Sequence, residues 1–231
     1  MISLAAFDIA GTTVDDGGAV YVALRTAVEE TGATVADADL SHWMGTDKVT
    51  AIANLARIGG VELDADRVQQ TFVRFGEVLA DSYRNDPPKP VAGGEAAIAR
   101  LQEAGVKVAL TTGFDRAVVE PLLASLNWGV RGEGEGFALT LDAVVTTDDV
   151  EAGRPAPYMI FRAMERCGVA AVSEVLAAGD TAVDVQAANN AGAVSVGVLT
   201  GQTPRATLEA NSADHVLASI VDIVDLDGVL N

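Results

Sequence analysis

The chain is poor in the residues that most enzymes use for acid–base and nucleophilic work. Its 231 residues include one cysteine, Cys167, and two histidines, His42 and His215, far apart in sequence. An intrachain disulfide is therefore excluded, and a Cys–His or Ser–His–Asp catalyst starts from poor material. Lysine occurs at only three positions, Lys48, Lys89 and Lys107. No apolar run reaches the roughly 18 residues of a membrane span. Residues 2–7 are apolar but too short for a secretory leader, and they run straight into Asp8. The expectation is a soluble, cytoplasmic protein with no membrane partner.

Acid is what the chain has in excess. With 33 Asp and Glu against 15 Lys and Arg, the formal net charge is −18. Such a surface repels nucleic acid, so no nucleic-acid partner is expected. A phosphorylated small molecule can still bind where a metal, a selected cation and helix N-termini reverse the local field. The machinery is thus expected to consist of carboxylates, a metal and one or two basic side chains.

Hydrophobic spacing divides the chain. Residues 2–7 read as a buried strand entering the turn Gly11-Thr12-Thr13. Apolar residues then recur at helical intervals over 19–31, 47–58 and 65–84, with no convincing strand between 15 and 90. The run Asn85-Asp86-Pro87-Pro88-Lys89-Pro90 reads as a linker. Beyond it helices and strands alternate: helix 93–104, strand 106–111, helix 115–126, strand 141–146, helix 157–167, strand 174–179, helix 182–191, strand 194–199 and a short strand near 214–217. The Gly-rich stretch 129–136 reads as a flexible surface loop. This alternation predicts an α/β fold, a doubly wound, Rossmann-like parallel sheet, with an inserted all-α-helical cap. The core comprises residues 1–14 and 91–231, and the cap 15–90.

In such sheets ligands bind at the C-terminal strand ends. Four ends carry suitable groups: Asp8, Thr112, Thr147-Asp148-Asp149, and Gly179-Asp180 with Asp184. Asp8 suits a nucleophile or a metal ligand, or equally a helix-capping aspartate. Asp180 and Asp184, four apart at a strand-to-helix junction, suit a hard cation or a capped helix. Thr112 and Gly113 offer a hydroxyl and free N–H groups to a phosphoryl oxygen, or simply cap a helix. Arg154 could neutralise phosphate or orient the nucleophile, or be a solvated surface arginine.

The ordered set Asp8, Thr112, Arg154, Asp180 and Asp184, with a helical insert after the first motif, resembles the haloacid dehalogenase superfamily. Most of its members carry Asp-x-Asp at the first motif and lysine at the third. Here Ala10 replaces the second aspartate, and arginine stands in Gly153-Arg154-Pro155. Both features resemble the phosphonoacetaldehyde hydrolase (phosphonatase) subgroup, as does Met44-Gly45-Thr46-Asp47-Lys48, which matches that subgroup's Met-x-x-x-Lys cap element.

The resemblance implies that Asp8 attacks phosphorus and that Mg²⁺ lies among Asp8, the Ala10 carbonyl, Asp180 and Asp184. It implies that Thr112 and Arg154 hold phosphoryl oxygens or Asp8, and that Lys48 forms a Schiff base beside Met44. Thr12, Gly113 and Phe114 line the substrate, Thr12 also supporting the turn, and relatives suggest a homodimer formed through the caps. The chemistry is self-consistent. Without an acid at position 10, a leaving oxygen lacks its proton donor, whereas an iminium on Lys48 accepts the electrons of a breaking C–P bond. Three positions depart from the subgroup: Gly18 replaces a cysteine, Ala51 a histidine and Phe114 a tyrosine. The implied substrate is therefore a small 2-oxo-alkylphosphonate, either phosphonoacetaldehyde or a relative. The alternatives are an Mg²⁺-dependent phosphate-monoester phosphatase and a non-catalytic binding relative.

Overall fold

The computed structural model describes residues 1–230. In chain order the elements are β1 (Leu4–Phe7), β2 (Val14–Asp15), α1 (Ala19–Glu29), α2 (Asp37–Trp43), α3 (Lys48–Ile58), α4 (Ala65–Asn85), β3 (Lys89–Pro90), α5 (Gly94–Glu103), β4 (Lys107–Thr111) and α6 (Arg116–Leu126). They continue with β5 (Trp128–Val130), β6 (Leu139–Leu141), β7 (Ala143–Val145), α7 (Tyr158–Cys167), β8 (Val175–Gly179), α8 (Ala182–Ala191), β9 (Val194–Val198), α9 (Arg205–Ala210) and β10 (His215–Leu217). Two compact units result. One joins Met1–Asp15 to Lys89–Asn231, and the other is Asp16–Pro88.

The first unit is built on a six-stranded sheet of order β10-β9-β8-β1-β4-β7, parallel throughout. β1 lies between β4 and β8, and its residues Leu4, Ala5, Ala6 and Phe7 are all fully buried. A central parallel strand is covered on both faces, which is why this segment is an unbroken apolar run rather than an alternating one. Leu4 and Ala6 pack with Met159, Ile160 and Ala163 of α7 and with Ala187, Ala188 and Ala191 of α8. These small side chains on α8 let the helix lie close to the sheet. The fold class is the mixed α/β, parallel-sheet architecture expected from the strand–helix alternation.

The second unit is helical. Val20, Ala23, Leu24, Ala27 and Val28 of α1 are buried, as are Ala51, Ile52, Leu55 and Ala56 of α3 and Val68, Phe75 and Leu79 of α4. The i, i+3, i+4 spacing puts each set on one stripe, and burying the three stripes together stabilises helices that would be marginal alone. The side chains of Asp47 and Asp64 accept hydrogen bonds from Thr50 N and Arg67 N and so cap α3 and α4.

Several elements differ from expectation. Residues 85–90 are not wholly linker: Lys89–Pro90 pairs antiparallel with Val14–Asp15, making a two-stranded ribbon where no strand was read. Two residues per strand are too short for any periodic signal. The strand expected over 141–146 is two strands in different sheets, β6 and β7. The break is at Asp142, whose carboxylate accepts from Val108 N at 2.9 Å. The stretch 129–136 is not all loop, since Trp128–Val130 pairs with Leu139–Leu141. The ring of Phe137 lies directly over Gly129, where a side chain would collide with it. Helices α2 and α9 were unread; they have 7 and 6 residues, too few to display a 3.6-residue period clearly. Among the described residues no helix is long and apolar enough to cross a membrane.

Candidate active site

Because the sheet is parallel, β1, β4, β7, β8 and β9 all deliver their C-terminal ends to one edge. Asp8 leaves β1 still in register, its N–H donating to Ala178 O at 2.9 Å. The chain then turns sharply: the N–H groups of Thr12, Thr13 and Val14 all point at Ile9 O, at 3.2, 3.0 and 2.8 Å. Gly11 has φ +84° at the apex, a conformation that costs glycine nothing and a branched residue a good deal. Ala10 closes the turn in a bridge with Val14. The hydroxyl of Thr13 donates to Asp8 O at 2.9 Å, while that of Thr12 leaves the turn and donates to Asp180 Oδ1 at 3.1 Å.

Arg154 is the hub. It is 6% exposed, so the surface-arginine alternative does not hold. Its Nη1 donates to Asp8 Oδ1 at 2.6 Å and lies 2.8 Å from Asp184 Oδ1. Its Nη2 donates to the carbonyl and hydroxyl oxygens of Thr111 at 2.8 and 2.7 Å. Thr111 was not among the expected site residues. Its role could not be read from Thr111-Thr112-Gly113, because adjacent strand residues point to opposite faces of the sheet and the sequence does not say which face Arg154 approaches. Thr112, buried, accepts from Phe114 N at 3.2 Å and donates its own N–H to Val145 O at 3.1 Å. Gly113 and Phe114 are buried in the same turn, and Phe114 O accepts from Thr147.

Asp184 does two things at once. Its Oδ2 accepts from the Thr181 N–H at 3.0 Å and from the Thr181 hydroxyl, forming a reciprocal cap on α8. Its Oδ1 faces Arg154. The capped-helix and charged-site readings are therefore both true of this residue.

Asp8, Asp180 and Asp184 each offer a carboxylate oxygen, and the three atoms lie within 4.8 Å of one another in a buried space. Burial, and secondarily the neighbouring charge of Asp184, push the Asp8 carboxyl up to about 6 against the pull of Arg154. Burial together with the charges of Asp8 and Asp184 holds Asp180 well above the usual carboxylate range. Burial alone would lower Arg154, but the charges of Asp184, Asp8 and Asp180 outweigh it and raise it. Three carboxylates facing one guanidinium leave uncompensated negative charge out of water. An all-oxygen donor set of that charge suits a hard divalent cation.

The remaining expected residues belong to the helical unit. Met44 is 6% exposed and Lys48 4% exposed. Lys48 opens α3, with its Nζ donating to Thr46 O at 3.0 Å, so it is not a solvated lysine. Neither histidine is buried: His42 is exposed on α2 with its ring edge-on to Trp43, and His215 is exposed on the edge strand β10.

A family profile described as haloacid dehalogenase-like hydrolase matches residues 2–192, and the chain belongs to that family of hydrolases. Two relatives represent different activities within it. A phosphoglycolate phosphatase of Pectobacterium atrosepticum is 31% identical over 224 residues, covering 96% of this chain and 91% of that protein. A phosphonoacetaldehyde hydrolase of Bacillus cereus is 30% identical over 211 residues, covering 85% of this chain and 75% of that protein. Among solved structures, a phosphonoacetaldehyde hydrolase-like protein of Oleispira antarctica superposes with a TM-score of 0.79 at 20% identity, covering 96% of this chain and 90% of that one. A β-phosphoglucomutase of Clostridium difficile gives a TM-score of 0.79 at 16% identity, with coverages of 96% and 93%. At those identities the likeness establishes the fold alone.

Proposed function

We propose that this hydrolase cleaves the C–P bond of a small 2-oxo-alkylphosphonate, releasing phosphate and an aldehyde or ketone. The observation that carries the reading is a paired one. Position 10 is alanine, so the turn beside Asp8 has no carboxylic acid to protonate a leaving oxygen, while the cap holds a buried lysine at position 48. Loss of the acid and presence of the amine together fit carbon as the leaving atom.

In this reading the Lys48 amine adds to the substrate carbonyl and expels water, giving an iminium. The Asp8 carboxylate attacks phosphorus in line with the C–P bond. That bond's electron pair moves toward the iminium nitrogen, leaving an enamine on Lys48 and an aspartyl-phosphate on Asp8. Protonation of the enamine at carbon and addition of water release the carbonyl product, and a second water hydrolyses the aspartyl-phosphate. Arg154 fixes the attacking oxygen and, with the Thr112-Gly113-Phe114 turn, receives the phosphoryl oxygens. Asp8, the Ala10 carbonyl and Asp180, with Asp184 beside them, would hold a Mg²⁺ ion, whose positive charge would offset repulsion between carboxylate and phosphoryl group. The enzyme acts in the cytoplasm as a homodimer formed through the caps.

A second reading has its own support. The relative that covers 96% of this chain is a phosphoglycolate phosphatase, and Gly18, Ala51 and Phe114 lack the side chains of the phosphonatase pattern. A phosphate-monoester phosphatase would then act on esters with good leaving groups. Phosphate release from phosphonoacetaldehyde and from a panel of esters separates the two. The C–P reading expects Lys48→Arg to abolish phosphonate cleavage, and borohydride to trap an adduct on Lys48 visible by mass spectrometry. Efficient ester turnover with no adduct would overturn it.

A further inference from the structure

The carboxylate of Asp180 is confined by glycines from both sides. β8 lies between β9 and β1 in the sheet, so the segments leaving those two strands flank the residue that leaves β8. On the β1 side, a methyl group on Gly11 would stand 2.7 Å from Asp180 Oδ2 and 2.9 Å from Oδ1. On the β9 side, a methyl group on Gly201 would overlap the same carboxylate. The two glycines differ in kind. Gly11 has φ +84° and the turn itself demands it, whereas Gly201 lies outside the left-handed region, so no backbone conformation requires glycine there. What position 201 needs is the absence of a side chain.

The two flanks are tied together. The Thr200 hydroxyl donates to Gly11 O at 2.6 Å, joining the loop after β9 to the turn after β1. Leu199 N donates to Leu217 O at 3.1 Å and anchors the loop to β10. Within this frame the Thr12 hydroxyl holds Asp180 Oδ1.

We propose that Thr200 and Gly201 are positioning residues for the acidic triad: the loop leaving β9 closes on Asp180 and fixes the orientation in which its carboxylate meets a divalent cation. The proposal rests on the reading of Asp8, Asp180 and Asp184 as a cation site and deepens it by naming what sets the orientation of one ligand. Gly201 acts by leaving space, and Thr200 by linking the two loops. Residues that orient a metal ligand without touching the metal commonly carry a 10- to 100-fold share of its affinity.

The test uses Gly201→Ala, Thr200→Val, Asp180→Ala and the double variant Asp180→Ala/Gly201→Ala. Mg²⁺ binding to EDTA-stripped protein is measured by calorimetry without substrate, and unfolding midpoints are measured without metal. Gly201→Ala is expected to weaken Mg²⁺ binding roughly 10- to 100-fold. Thr200→Val is expected to weaken it about 2- to 10-fold, the equivalent of one neutral hydrogen bond. Gly201→Ala should also lower the metal-free unfolding midpoint more in the parent chain than in the Asp180→Ala background, where the carboxylate contacts are gone and only the Cβ of residue 180, at 2.7 Å, still crowds the new methyl group. Unchanged Mg²⁺ affinity in Gly201→Ala, or equal loss of stability in both backgrounds, would overturn the proposal, because the glycine would then serve only the loop. Failure of the parent protein to bind Mg²⁺ would instead overturn the cation-site reading, and the metal-free comparison would show which of the two had failed.

Discussion

Stripping divalent cations from the protein and varying the pH isolates the cost of its buried acids. Asp8 is buried, and its carboxyl rises from an ordinary 3.8 to about 6 on folding. At 1.36 kcal/mol for each tenfold change in acidity, ionised Asp8 disfavours the folded, metal-free chain by about 3 kcal/mol relative to the unfolded one. The sign follows from which state holds the proton more tightly. The folded state does, so this stability is fully present below about pH 4 and is lost as pH rises through 6. Asp180, raised in the same direction, adds to the loss. A domain of this size shifts its unfolding midpoint by roughly 2–4 °C per kcal/mol. About a third of this is already lost by pH 4.5, so the EDTA-treated protein should lose about 2 kcal/mol, or about 4–8 °C, between pH 4.5 and 7.5 through Asp8. A saturating divalent cation should stabilise it far more at pH 7.5 than at pH 4.5. Differential scanning calorimetry with EDTA or with Mg²⁺ at both pH values measures this directly. Asp8→Asn should flatten the metal-free profile across that window. A metal-free midpoint equal at the two pH values, or a Mg²⁺ effect independent of pH, would refute the electrostatic account of the site.

Two further outcomes follow from contacts elsewhere in the core. Arg154→Ala removes the one guanidinium facing three buried carboxylates; it should destabilise the metal-free protein by about 3–5 kcal/mol and lower kcat by roughly 100- to 1000-fold, measurable by denaturant titration and by phosphate release. Asp142 is tempered by burial, which raises its pKa, but the Val108 N–H, Arg131 and Lys107 outweigh that and hold it below the ordinary value. Its contribution to stability is present above about pH 4 and lost as pH falls through its lower folded value, so Asp142→Asn should blunt acid unfolding below pH 4, read by circular dichroism.

Asp8 and Asp180 were legible because each follows a short apolar run and precedes a turn, and in a parallel sheet that pattern puts both at one edge. Lys48 was legible only through its spacing from Met44; as a lone lysine opening a helix it looked ordinary until burial distinguished it. Thr111 was passed over for its neighbour, since a pair of adjacent threonines does not reveal which one meets Arg154. Thr200 and Gly201 gave no signal at all. Their significance depends on Gly11 and Asp180, and nothing local in Leu199-Thr200-Gly201-Gln202 marks those distant partners.

Composition and periodicity thus determined the class of chemistry and the scaffold: an acid-rich, histidine-poor chain, an α/β core with a helical insert after its first strand, and carboxylates at strand ends. These features are local, set by side-chain type and by the 2.0- and 3.6-residue repeats of the backbone. Strand order was decided only by tertiary structure, and with it the neighbours of each strand end. By placing β8 between β9 and β1, the sheet surrounds Asp180 with two glycines and a threonine from distant parts of the chain. By packing β4 beside β1, it sets Thr111 against Arg154 and lets a single guanidinium span Asp8 and Asp184. Such contacts arise from packing against partners tens of residues to well over a hundred residues away, and no local pattern encodes them.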